Sequence, residues 1–232
     1  MKSLKLFVLI AGVALFASSC TSSKVDVKLK TEVDTMSYAL GINMADNLKR
    51  MEITDVNALA LAMGIQNGLD TTKKVMTNEE AIEFLNKYFT KLQDAKAEKA
   101  LVEGQKFLEE NAKKDSVIVD ESGIQYKILR EGTGMTPTVE DVISVNYRGT
   151  LIDGKVFDSS YESGAPREFQ LGRVIQGWQI GLQKMKVGSK YMFYIPAELG
   201  YGKNVRPDGP IKANSVLIFE VELLDIVKEP KK

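Results

Sequence analysis

The stretch Val156-Phe157-Asp158-Ser159-Ser160-Tyr161, continued by Pro166-Arg167-Glu168-Phe169-Gln170-Leu171-Gly172 and Arg173-Val174-Ile175-Gln176-Gly177-Trp178, decides the fold. The aromatics Phe157, Phe169 and Trp178 and the aliphatics Val174 and Ile175 fall within it, and the carboxylate of Asp158 sits among them. Apolar walls with one inward polar group are the usual make-up of a small-ligand pocket.

Outward from that stretch the C-terminal half alternates. Ile124, Tyr126 and Ile128 predict a strand, Val142–Tyr147 a second, Phe169–Leu171 a short third, and Tyr191–Ile195 and Val216–Ile226 two more. Asp153-Gly154 is a hairpin signal between Leu151 and Val156. Ile175–Leu182 reads as one short helix, and 197–214 as a long loop rich in Gly and Pro. The lone Gly132-Thr133-Gly134 precedes no helix start and carries little phosphate-binding signal. Many antiparallel strands and one helix make this half α+β, with the helix covering one face of the sheet.

The N-terminal half has a helical period. Met36, Leu40, Met44 and Leu48 share one face. Thr54-Asp55 offers an N-cap for a second helix carrying Leu59 and Met63, closed by Gly64, Gly68 and the polar 70–74 stretch. Thr77-Asn78-Glu79-Glu80 is a capping box. No proline interrupts 77–116, so one long helix over 77–115 is expected, too polar beyond Leu92 to enter a core, with Gly104 as its weak point. The two short helices carry more apolar surface than a pair can bury alone.

Composition narrows the chemistry. The 232 residues include no histidine, which excludes Ser-His-Asp, Cys-His and His-ligated zinc sites. Lys+Arg and Asp+Glu are both 31, so nothing favours nucleic acid as a partner. One cysteine, Cys20, allows no disulfide within the chain and no Cys-based metal site. Lys2 and Lys5 precede an apolar run, Leu6–Ala17, shorter than the ~20 residues that span a bilayer. The run ends Ala17-Ser18-Ser19-Cys20, similar to a bacterial lipobox, which implies export and a lipid anchor on Cys20. A cleaved signal with an incidental cysteine is the alternative.

Five ordered blocks carry a family resemblance: Val145-Asn146-Tyr147, Val156-Phe157-Asp158-Ser159-Ser160, Val174-Ile175-Gln176-Gly177-Trp178, Ala197-Glu198-Leu199-Gly200-Tyr201-Gly202 and Leu217-Ile218-Phe219-Glu220-Val221-Glu222-Leu223. Over 119–228 the chain resembles the FKBP peptidyl-prolyl cis–trans isomerases. Met36-Ser37-Tyr38-Ala39-Leu40-Gly41 and the long helix resemble the two-domain bacterial members of the macrophage infectivity potentiator and FkpA type. The resemblance implies an α+β fold in which an antiparallel sheet wraps on a short helix, preceded by an all-α domain with a stalk helix. The expected layout is signal and anchor 1–20, tether 21–32, helical dimerisation domain 33–118 and isomerase domain 119–228. It further implies a homodimer through 33–75, location in the envelope of a Gram-negative bacterium, proline-containing polypeptides as substrates, and no cofactor. A non-catalytic holdase that grips proline segments is the competing function.

By the same resemblance Tyr147, Asp158 and Tyr201 are the catalytic candidates, while Phe157, Phe169, Val174, Ile175, Trp178, Ile211 and Phe219 bind substrate. Trp178 would be the floor, with the Tyr201 hydroxyl and the Ile175 amide holding substrate carbonyls. Three departures bear on sequence preference: Arg167 at the rim, Lys212-Ala213 where relatives commonly have Pro-Pro, and a short Gly172–Val174 segment.

Overall fold

A computed structural model describes residues 28–70, 75–206 and 209–227. Cys20, the signal, most of the tether and the 71–74 stretch lie outside the described residues. Contacts divide the chain into two compact units, residues 1–55 and 56–232.

The first unit contributes helix α1, Glu32–Arg50. Thr31 caps it: the Asp34 amide donates to the Thr31 hydroxyl at 3.1 Å, and the Thr31 amide donates back to the Asp34 carboxylate at 3.0 Å. None of its residues is buried, and Val33, Met36, Tyr38, Leu40 and Ile42 are all more than half exposed.

The second unit begins with α2, Ala58–Leu69. The cap is Asn57, whose carbonyl oxygen accepts from the Ala60 amide at 3.0 Å, and not Thr54-Asp55 as the sequence suggested. Asp55 and Asn57 are both good caps, and three candidates in four residues leave the start ambiguous. Helix α3, Asn78–Asn111, starts where expected, with both Thr77–Glu80 capping bonds formed, and stops four residues short of the anticipated end. At 1.5 Å per residue it is about 51 Å long.

The polar second half of α3 contributes no residue to the apolar core, as expected, yet two of its residues, Gly104 and Asn111, are buried. Asn111 is fully buried; its amide donates to Gln125 Oε1 at 2.9 Å, and Gln125 Nε2 donates to the Leu108 carbonyl at 2.9 Å. The Phe107 ring meets Tyr194 at 6.0 Å. Gly104 is buried, and a Cβ there would sit 2.8 Å from Val216 Cγ2, which leaves room only for glycine. The glycine that looked like a weak point is a close-approach site, and the propensity cost is offset by tighter packing.

The sheet has β1 (Ile118–Val119), β2 (Gln125–Arg130), β3 (Val142–Thr150), β4 (Val156–Ser159), β5 (Arg167–Gln170), β6 (Lys190–Ile195) and β7 (Leu217–Val227). All pairings are antiparallel, in the order β1-β2-β6-β7-β3-β4, with β5 also on β3. Period-2 patterning places Ile143, Val145 and Tyr147 of β3 and Tyr191, Phe193 and Ile195 of β6 on the covered face. Helix α4, Gln176–Leu182, packs there, burying Trp178 and Leu182.

Candidate functional site

Between the sheet and the start of α4 lies a cavity of about 640 Å³. Tyr147 of β3, Phe157 and Asp158 of β4, Phe169 of β5 and Phe219 of β7 supply its sheet wall. Val174, Ile175 and Trp178 come from the entry to α4, and Tyr201 and Ile211 from the long loop. Every pocket residue anticipated from the sequence therefore lines one cavity. Arg173, Asn204, Val205, Arg206, Gly209 and Pro210 line it as well and were not anticipated. Arg173 ends a single 3-10 turn and the others sit on irregular backbone, where no hydrophobic period marks the inward face.

Trp178 is buried, 4% exposed, and three rings meet it edge-on: Tyr147 at 5.2 Å, Phe219 at 5.2 Å and Phe169 at 5.6 Å. Edge-to-face contacts bring positive ring edges to negative ring faces and fix the indole's orientation. Its Nε1–H has no acceptor among the described residues. Gly149 makes room for this aromatic nest: a Cβ there would lie 2.6 Å from the Phe157 ring and 2.9 Å from Phe219.

One polar pair stands at the rim. The Tyr147 hydroxyl donates to Asp158 Oδ2 at 2.6 Å. Asp158 thus serves this bond and does not cap the Ser159-Ser160 turn, whose Ser160 hydroxyl instead accepts from the Tyr147 amide at 2.9 Å. Burial, then the Asp158 carboxylate, pushes the Tyr147 phenol far above its ordinary value. Burial and the same carboxylate raise the Tyr201 phenol too. Both phenols are held as O–H donors through the neutral range. The Tyr201 hydroxyl has no partner among the described residues, and neither does the Ile175 amide at the cap of α4. The arrangement offers donors to a guest carbonyl over an apolar floor.

Two family models match the chain: "FKBP-type peptidyl-prolyl cis-trans isomerase" over residues 134–224, and "Domain amino terminal to FKBP-type peptidyl-prolyl isomerase" over residues 33–128. The outer membrane protein MIP of Legionella longbeachae is 36% identical over 97% of this chain and 99% of its own length. The chain belongs to the FKBP-type peptidyl-prolyl cis–trans isomerases. Another FKBP-type isomerase, FkpA of Aeromonas hydrophila, is 42% identical over 86% of this chain and 78% of its own. The crystal structure of FkpA from Escherichia coli superposes with a TM-score of 0.68 at 34% identity, over 88% of this chain and all of that one. This FKBP is accordingly an enzyme that interconverts cis and trans X-Pro bonds in polypeptides.

Proposed function

We propose that this isomerase assists protein folding in the bacterial cell envelope by twisting X-Pro amides over Trp178. The observation that carries the reading is the aromatic cavity itself, with its donors but no proton-transfer pair. The X-Pro bond prefers trans by only ~0.5–1 kcal/mol yet crosses a barrier near ~20 kcal/mol, which is lost amide resonance. A planar amide is strongly polar; a twisted one has less charge separation. An apolar hollow therefore favours the twisted state relative to the planar one.

The chain's residues divide this task. Trp178 is the floor for the prolyl ring, with Phe157, Phe169, Val174, Ile211 and Phe219 as walls. The Asp158 carboxylate, steadied by Tyr147, repels a carbonyl oxygen. The substrate carbonyls turn instead to the Tyr201 hydroxyl and the Ile175 amide. A thousandfold acceleration asks for about 4 kcal/mol, within reach of such contacts.

The remaining organisation follows the same reading: signal and Cys20 anchor over 1–20, tether 21–32, helical dimerisation domain 33–118, isomerase domain 119–228. The name of the Legionella relative supports an envelope location. The exposed apolar side chains of α1 and α2, Leu40 and Leu59 among them, support a homodimer through 33–75. Refolding of a substrate limited by X-Pro isomerisation tests the activity: micromolar protein accelerates the slow phase, and an unchanged phase refutes it. Light scattering of the unlipidated chain returns a dimeric mass; a monomeric mass refutes the association.

A further inference from the structure

The guanidinium groups around the pocket take no part in the amide chemistry above. Arg173 follows β5 and precedes Val174; Arg206 lies on the loop five residues past Tyr201; both line the cavity and both are exposed. A third, Arg167, occupies β5 two residues before Phe169 and is paired in register with Val145, two residues before Tyr147. None of the three has a carboxylate within salt-bridge distance among the described residues. Three other cations of the same domain do hold carboxylates: Arg130 with Glu222, Lys184 with Asp120, Lys190 with Glu220. Among the described residues the one carboxylate lining the cavity, Asp158, is already engaged by the Tyr147 hydroxyl.

From this we infer that Arg167, Arg173 and Arg206 form a cationic collar that selects substrate segments carrying Asp or Glu next to the proline. It rests on the isomerase reading and adds a substrate class to it. Two strands of support are independent. Geometrically, Arg173 at the entry to α4 and Arg206 on the long loop, 33 positions apart in the chain, both line the same cavity. Electrostatically, the Arg167 charge acts on the Tyr147 phenol and the Arg206 charge on the Tyr201 phenol, each lowering a value that burial has raised. A charge felt at those hydroxyls is felt by a side chain adjoining the bound proline. An extended neighbour of the prolyl ring must leave the apolar floor and pass the rim, where the fork of a guanidinium matches a carboxylate.

The test uses the full chain and two series of proline tetrapeptides, with Glu, Leu or Lys directly before or directly after the proline. Three exposed cations several ångströms away, in water at low salt, favour Glu over Lys in kcat/KM by about tenfold, shrinking toward twofold in molar salt. The effect resides in KM. Arg173→Glu combined with Arg206→Glu reverses the preference toward Lys. A Glu-to-Lys ratio near one in both series, with the Leu peptide still isomerised, overturns the collar and leaves the isomerase standing; so does a ratio unmoved by charge reversal. Failure to isomerise any peptide removes both readings together.

Discussion

Replacing Trp178 by Ala and by Phe separates the indole's two contributions. In the Ala variant three edge-on ring contacts and nearly the whole indole surface are lost, a change that costs about 4 kcal/mol in a packed core. The buried Nε1–H without an acceptor disappears at the same time, which returns about 1–2 kcal/mol. The net destabilisation is about 2–3 kcal/mol. In the Phe variant the orphan donor also goes, but one ring stays under the substrate, and the two effects cancel to within about 1 kcal/mol. Catalysis follows the floor. A prolyl ring offers three methylenes worth ~0.8 kcal/mol each when buried. Losing most of that contact lowers kcat/KM about thirtyfold for Ala, against a few-fold for Phe. Urea unfolding and a proline-peptide isomerisation assay on both variants measure these quantities. A Phe variant as unstable as the Ala variant refutes the orphan-donor reasoning; wild-type rates in the Ala variant refute the floor.

Tyr201→Phe removes one neutral hydrogen bond to a substrate carbonyl and lowers kcat/KM about two- to tenfold without changing the urea midpoint. With no histidine in the chain and both pocket phenols raised by burial, kcat/KM is flat between about pH 6.5 and 9; a bell-shaped profile there would indicate acid–base catalysis instead. Asn111→Ala strands the buried Gln125 Oε1 and lowers stability by about 2–3 kcal/mol, seen as a urea midpoint about 1 M lower. Hydrogen bonds from the Lys184 ammonium, then from Ser122, hold the Asp120 carboxyl well below the usual carboxylate range. A depressed folded-state value gives stability that is present above about pH 4 and lost as the pH falls, so Asp120→Asn flattens the acid limb of the stability profile. Equal losses for both proteins between pH 6 and pH 3 would contradict that.

Much of this architecture is written locally in the chain. The Thr77–Glu80 reciprocal cap forms as the spacing demands, and Gly154 takes φ +83° at the expected hairpin turn. Period-2 patterning marked β3, β6 and β7 because each has one covered face. What stayed hidden depends on distant partners. Gly104 looks like a helix defect until Val216, 112 positions later, is seen against it. Asn111 looks like a surface residue until Gln125 arrives beside it. At the site, the aromatic lining was legible because bulky apolar side chains cluster in named blocks. Arg173, Asn204 and Arg206 were not, since an exposed polar side chain outside a regular strand or helix gives the same signal whether it faces a cavity or open water.

The seam between α3 and the sheet has a further consequence. From Ala97 onward the helix is gripped at four points: the Asn214 amide on the Ala97 carbonyl at 3.3 Å, Val216 on Gly104, Tyr194 on Phe107, and Gln125 on Asn111. Asn214 also donates its backbone amide to the Gly202 carbonyl at 2.8 Å, next to Tyr201. The loop that carries Tyr201 and the last four turns of the helix are thus bridged by one asparagine. A protease that needs an unwound backbone is therefore expected to cut α3 ahead of Ala97 rather than after it, leaving the last four turns attached to the sheet.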